Sequence, residues 1–247
     1  MIYYFSGTGN SRYAAEKLAI LTEDKCVSIA SIFNGNPPDV AGRSDVTGFV
    51  FPAYYGGLPE MVKRFASHRE IKNHLGFYVY SVITCGAEAG AAGVRLSQCL
   101  EHRVDMCVQL PMPDNYIMLY NPSDSETAKQ KLKTADAALT DIADMVETRT
   151  KFGKVNIRQK AMTAVLYPFY NLFRVTFPFS ADEKCTHCGL CAKICPERAI
   201  KIKNGKPVWV KKKCQHCTAC INRCPTDAIQ FGLLTEKRSR YAITKLK

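Results

Sequence analysis

Eight of the chain's twelve cysteines lie between Cys185 and Cys224, and their arrangement repeats. KCTHCGLCAKICPERAI returns 29 residues later as KCQHCTACINRCPTDAI, so each copy reads C-x2-C-x2-C-x3-C-P. Thiols this dense are used either for disulfides or for metal. A disulfide scaffold spreads its cysteines through a small secreted domain behind a secretory signal. Here the first strand is expected from residue 2, and no basic segment precedes an apolar stretch. The expectation is metal ligation in a reducing compartment, the cytoplasm.

Structural zinc sites usually pair two C-x2-C knuckles without a third cysteine in the run. The doubled third cysteine and both Cys-Pro pairs argue against zinc. Three cysteines at this spacing can wrap one corner of a cubane, with the fourth supplied by the other copy and the proline turning the chain away. This pattern resembles bacterial two-cluster ferredoxins, a small α+β fold. The resemblance implies two [4Fe–4S] clusters, one on Cys185, Cys188, Cys191 and Cys224, the other on Cys214, Cys217, Cys220 and Cys195. Thr218 replaces the Gly189 of the first copy, which removes a glycine but no ligand. His187 and His216 each sit between the first two ligands of a copy. They are read either as N–H donors toward cluster sulfur or as solvent-facing side chains.

The N-terminal part alternates short apolar runs with amphipathic stretches. Strands are predicted over 2–5, 26–30, 46–52, 76–83 and 104–110, and helices over 11–21, 58–69, 91–102 and 124–148. Such alternation predicts an α/β fold, a doubly wound parallel five-stranded sheet with ligands beyond the C-terminal strand ends. Three loops fall there. Ser6-Gly7-Thr8-Gly9-Asn10-Ser11 opens a helix, whose free N–H groups and dipole attract phosphate. It has neither a Walker lysine nor G-x-G-x-x-G, which disfavours a nucleoside triphosphate or a dinucleotide. The second loop, Pro52-Ala53-Tyr54-Tyr55-Gly56-Gly57, offers flat rings for stacking. The third, Thr84-Cys85-Gly86-Ala87 through Gly90, is small and rich in accessible backbone.

FSGTGNS, PAYYGG and TCGAEAG resemble the three flavin-mononucleotide loops of flavodoxins, over roughly residues 1–150. The resemblance implies the strand order 2-1-3-4-5, with FMN at the switch point. It also implies a carbonyl near Gly56 or Gly57 within reach of the flavin N5–H. The third loop lacks the aromatic that often covers the outer flavin face, which leaves Tyr54 or Tyr55 as the stacking candidates. Residues 110–125 are long for a flavodoxin and are read as a lid over the flavin or as padding of the edge strand. Cys85 is the one reactive-looking side chain near these loops, and a buried inert thiol is the favoured reading.

The domain organisation expected is an FMN-binding domain over 1–150, an aromatic and basic linker over 151–180, the two-cluster domain over 181–233 and a basic tail over 234–247. The linker, interrupted by Pro168 and Pro178, is expected to pack against both domains, with a membrane surface as the lesser alternative. No run of eighteen apolar residues suggests a transmembrane segment.

The formal charge of +12 is uneven, with 15 Lys/Arg against 5 Asp/Glu over residues 180–247 and 19 against 17 before them. Two anionic clusters and an FMN phosphate would lower the total to about +6. The remaining basic residues, in Lys211–Lys213 and 236–247, suit an acidic redox partner or form a solvated tail. Nucleic acid is disfavoured, since no recognition motif accompanies the charge. A monomer and a homodimer both stay open. The function expected is electron transfer between clusters and FMN, as a carrier or relay between redox proteins. The alternative is a ferredoxin-dependent flavin reductase acting on a small molecule. No acid–base constellation stands out, so no catalytic residue is assigned and enzyme status stays open.

Overall fold

The computed structural model describes residues 1–35, 42–153 and 156–246. The chain divides into two compact units. The first comprises Met1–Ser6, Asn10–Met112 and Gln130–Asn171; the second comprises Gly7–Gly9, Pro113–Lys129 and Leu172–Lys247.

In the first unit the chain runs β1 (Ile2–Tyr4), α1 (Asn10–Leu21), β2 (Cys26–Ser28), α2 (Ile29–Phe33), β3 (Val46–Pro52), α3 (Glu60–Ala66), α4 (Arg69–Asn73), β4 (Tyr78–Cys85), α5 (Ala92–Leu100), β5 (Met106–Pro111), α6 (Ser125–Glu147) and α7 (Ile157–Phe173). The five strands pair in parallel in the order β2-β1-β3-β4-β5. This is the flavodoxin-like order, with its switch point between β1 and β3. Every residue of β4, YVYSVITC, is buried, as a central strand covered on both faces requires. The core joins Ile2, Leu18, Val50, Val82 and Met106 to Leu139, Ile142 and Val146 of α6.

Three elements depart from the sequence reading. The strand expected over 26–30 stops at Ser28, whose hydroxyl accepts from the Ser31 N–H and starts α2 instead. The helix expected over 58–69 is two helices, the first ending at Ala66 and the second starting at Arg69. Pro168 does not interrupt its segment but lies inside α7. The start of α6 follows its predicted position, with Asp124 accepting from both the N–H and the hydroxyl of Thr127, both 2.8 Å.

The second unit contains β6 (Phe179–Ala181), α8 (Leu190–Lys193), β7 (Ile200–Lys203), β8 (Lys206–Trp209), α9 (Ala219–Asn222) and β9 (Ile229–Phe231). β6 pairs with β9, and β7 with β8, both antiparallel. This is a small α+β unit. Phe179 stacks on Trp209 at 5.3 Å and meets Phe231 edge-on at 4.9 Å. The long segment after β5 enters this unit, where Ile117 and Met118 are buried with Phe179, Ile221 and Ile229. The segment is shared: Leu110 and Met112 join the core of the sheet, as padding of the edge strand would, while Ile117 and Met118 lie here. The basic end of the chain folds as well. Tyr241 and Ala242 are buried, and Arg240 donates to the carbonyls of Thr235, Arg238 and Ile229.

Gly48 on β3 lies opposite Tyr80 on β4, and a Cβ there would come within 2.5 Å of the buried Tyr80 ring. Gly48→Ala is expected to destabilise the sheet by about 1–3 kcal/mol through overpacking, read as a lower Tm of the full chain.

Candidate functional site

The repeat in sequence is also a repeat in backbone. His187, Gly189 and Arg198 have φ of 59°, 71° and 49°, and their counterparts 29 residues on, His216, Thr218 and Asp227, have 51°, 57° and 54°. Non-glycine residues visit this left-handed region at a cost, and such strain concentrates at ligand-binding loops. Here it makes each cysteine run curl. Thr218 tolerates it while buried, its hydroxyl donating to the Asn115 carbonyl at 3.3 Å.

The curled runs leave two recesses, partly open to solvent. Cys185, Cys188, Cys191 and Cys224 line one, and Cys195, Cys214, Cys217 and Cys220 line the other. Each therefore takes three cysteines from one copy and one from the other. No cysteine of the chain is in a disulfide. Among the described residues, no group of three or more His, Cys, Asp or Glu is gathered as a site for a single metal ion.

Burial dominates the electrostatics of these thiols. Desolvation, reinforced by neighbouring cysteines, pushes Cys214 up to about 12 and raises Cys217 and Cys220 as well. Desolvation likewise raises Cys191 and Cys195, partly offset by backbone N–H groups. The Ala199 N–H donates to Cys195 Sγ and the His216 N–H to Cys214 Sγ, both at 3.3 Å. Donors of this kind stabilise a thiolate.

The two histidines part company. His187 is exposed. His216 is buried, so the solvent-facing reading fails for it, and its ring is not the donor to sulfur. Its Nε2–H donates to the Val175 carbonyl at 2.8 Å, which leaves Nδ1 to accept from the Tyr116 hydroxyl at 3.2 Å. Only its backbone N–H reaches sulfur. Desolvation, aided by Arg174, holds the imidazole below its usual pKa.

Gly7, Thr8 and Gly9 group with the second unit through close contacts. A Cβ on Gly7 would meet the Cys217 carbonyl oxygen at 2.0 Å, and one on Gly9 would meet Ile243 at 2.3 Å. The Ile243 N–H donates to the Thr8 carbonyl at 3.0 Å. Asn115, missed by the sequence reading, ties this tripeptide down. Its Nδ2 donates to Thr8 Oγ1 at 2.6 Å, while its carbonyl accepts from Asn222 Nδ2 at 3.0 Å. Because Thr8 Oγ1 is the acceptor, its own proton stays available for a ligand.

The remaining loop residues lie in the first unit. Asn10 and Ser11 begin α1 and are buried, and Ser11 Oγ lies 2.8 Å from Thr84 Oγ1. Pro52 ends β3, and the Ala53 N–H donates to the Thr84 carbonyl at 2.9 Å. Tyr54 and Gly57 exchange two backbone hydrogen bonds around Tyr55 and Gly56, whose φ values are 51° and 72°. This matches the two-residue hairpin turn with both central residues left-handed. Tyr54 and Tyr55 are half-buried, with ring centroids 5.6 Å and 6.1 Å from that of Tyr170. In the third loop Cys85 is buried and its thiol donates to the Ala87 carbonyl at 3.6 Å. Gly86 is half-buried, Ala87 is exposed, and Gly90 is buried at φ 59°.

Helix α7 supplies what the sequence reading did not assign. Thr163 Oγ1 donates to the Gly56 carbonyl at 2.9 Å and accepts from the Ala91 N–H at 2.8 Å, bridging the second and third loops. Tyr167 donates to the Leu58 carbonyl at 2.8 Å, and the Tyr170 hydroxyl accepts from the Glu60 N–H at 3.3 Å. The Arg95 guanidinium sits 4.3 Å above the Tyr167 ring. The spacing Thr163, Tyr167, Tyr170 is one helix face, and that periodicity was the available signal. The Gly56 carbonyl also accepts from the Ala91 N–H at 3.1 Å, so both of its lone pairs are taken. The Gly57 carbonyl, which accepts from Tyr54, keeps one.

Comparisons with known proteins fit this division. Residues 184–228, which include all eight clustered cysteines, match the 4Fe-4S dicluster domain family. The C-terminal part of the chain is thus similar to iron–sulfur domains. Solved structures similar to this chain cover its N-terminal part. A flavoprotein from Lactobacillus acidophilus NCFM, in complex with FMN, is 17% identical, with a TM-score of 0.32 over 44% of this chain and 90% of that one. A flavodoxin, WrbA-like protein from Agrobacterium tumefaciens is 17% identical, with a TM-score of 0.37 over 60% and 97%. A putative flavoprotein from Bacteroides eggerthii is 19% identical, with a TM-score of 0.37 over 58% and 96%. No curated protein matches. The flavodoxin-like fold rests on the strand order itself.

Thr163→Val keeps the shape of the side chain and deletes its hydroxyl. It is expected to lower stability by about 1–3 kcal/mol, because a buried donor and acceptor lose a partner, measured as a fall in Tm.

Proposed function

We propose that this chain is an iron–sulfur flavoprotein that transfers electrons between two [4Fe–4S] clusters and FMN, as a carrier or relay between redox proteins. The observation that carries this reading is the lining of the two recesses, each by four of the eight clustered cysteines. The donor set fits the group. Sulfur ligands suit iron–sulfur clusters, and the iron supplies the positive charge that lets buried thiols ionise. When bound, each cluster exchanges one electron and the flavin one or two.

The chain's own residues hold and tune these groups. Cys185, Cys188, Cys191 and Cys224 hold one cluster, and Cys195, Cys214, Cys217 and Cys220 the other. The backbone N–H groups of Ala199 and His216 donate to cysteine sulfur, which favours the reduced, more negative state. Ser6, Gly7, Thr8, Gly9, Asn10 and Ser11 cradle the flavin phosphate. Tyr54 or Tyr55 stacks on the ring, and the backbone of 52–57 and 84–90 contacts its edge. Exposed Lys211, Lys212 and Lys213 precede Cys214 directly and suit an acidic redox partner. Within residues 110–125, read as the roof of a substrate pocket in the reductase alternative, Ile117 and Met118 are buried in a protein core.

Anaerobically reconstituted protein is expected to hold about eight irons per chain with matching acid-labile sulfide. Stoichiometric zinc without sulfide would end this reading. In rapid-mixing reduction with a ferredoxin-type donor, clusters and FMN are followed at separate wavelengths, and electrons should pass to FMN. Cys217→Ser should slow that passage while FMN stays bound. Unchanged flavin reduction in protein stripped of both clusters would end the relay.

Thr8→Ala removes a donor to a charged phosphate and should weaken FMN binding by about 1.5–3 kcal/mol, measured by fluorescence titration of apoprotein. Release of FAD on denaturation would show that the loop holds a different nucleotide.

A further inference from the structure

Helix α7 is built inside out. Its buried residues, Thr163, Tyr167 and Tyr170, all carry hydroxyls, and all three are spent on loop backbone. Its purely apolar side chains face outward. Val165, Phe169 and Leu172 share the same i, i+4, i+7 spacing and are 65%, 43% and 62% exposed. Leu166 and Ile157 are exposed beside them. A water-facing helix surface usually carries charge, and an exposed apolar stripe marks an interaction surface.

The charge around this stripe selects its occupant. Between Glu147 and Asp182 there is no acidic residue, while Arg149, Lys151, Lys154, Arg158, Lys160 and Arg174 are basic. Arg149 and Lys151 are paired with Asp45 and Asp105. Arg158 and Lys160 are exposed and in no ion pair among the described residues. Arg158 lies seven residues before Val165 and so falls on the same stripe. A second copy docked symmetrically through this stripe would bring its own Arg158 and Lys160 against the same basic segment. No described helix is long and apolar enough to cross a membrane. An apolar stripe with cations at one end is suited to lying along the headgroup boundary of an anionic bilayer.

We propose that α7 is a membrane-surface helix that attaches the protein to anionic lipid through Val165, Phe169 and Leu172, with Arg158 and Lys160 toward the headgroups. The test is cosedimentation of the cofactor-loaded full chain with phosphatidylcholine vesicles, with and without phosphatidylserine, alongside sedimentation velocity without lipid. Binding is expected only with phosphatidylserine and should weaken in high salt. Val165→Asp with Phe169→Asp should reduce binding at least about tenfold, and Arg158→Glu with Lys160→Glu should reduce it comparably. Both pairs are exposed, so iron and flavin content should be unchanged. The proposal fails if the intact protein does not bind anionic vesicles, if neutral vesicles bind it equally, or if neither pair of substitutions matters. A lipid-free dimer abolished by Val165→Asp with Phe169→Asp would assign the stripe to a second copy and overturn it.

Discussion

Eight thiols gathered into a small, partly buried unit impose the constraint on which the second unit depends. Burial opposes the ionisation of Cys191, Cys195, Cys214, Cys217 and Cys220, and pushes Cys214 up to about 12. The left-handed residues at His187, His216 and Thr218 add backbone strain to that desolvation. Such loops make physical sense when ligand binding repays both costs. The core of Phe179, Ile221 and Ile229 with Ile117 and Met118 holds the unit together behind the cysteines.

The first unit solves a different problem. Its glycine-rich loops are bare backbone, and bare backbone is loose. Gly56 and Gly90 lie so close that a Cβ on Gly90 would meet the Gly56 carbonyl oxygen at 2.7 Å. The hydroxyls of α7 offset that freedom. Thr163 joins the two glycine loops, and Tyr167 and Tyr170 fix the turn that follows the second. The helix that steadies the loops also turns its apolar stripe outward, so one element serves the site on one face and faces the surroundings with the other.

Asn115 and the chain's basic end show polar groups used for internal order. Asn115 holds Thr8 with its side chain and accepts from Thr218 and Asn222 at its carbonyl. Arg238 donates to the Ile117 carbonyl at 2.6 Å, and Lys245 to the Cys224 carbonyl at 2.9 Å. Part of the basic excess over residues 180–247 therefore serves folding of the unit itself.

The parallel sheet, the helix-opening loop and the cysteine spacing were legible in the residues themselves, and the strand order through the resemblance to flavodoxins. The residue signals are short-range: β4 is mostly apolar, with only Ser81 and Thr84 polar, because both of its faces are covered, and C-x2-C-x2-C-x3-C-P sets the reach of its own thiols. Residues 113–129, 163–170 and 236–246 were not legible in the same way. Their partners lie far away in sequence, 121 residues for Arg238 and Ile117. A threonine that bridges two glycine loops and a threonine that faces water look the same in sequence, and so do an arginine spent on a carbonyl and one left for a partner. Sequence alone determined the kinds of group the chain is equipped to hold. Which side chains hold the loops still, and which apolar face is left outward, was decided by tertiary structure, because burial and hydrogen-bond pairing exist only once distant segments have met.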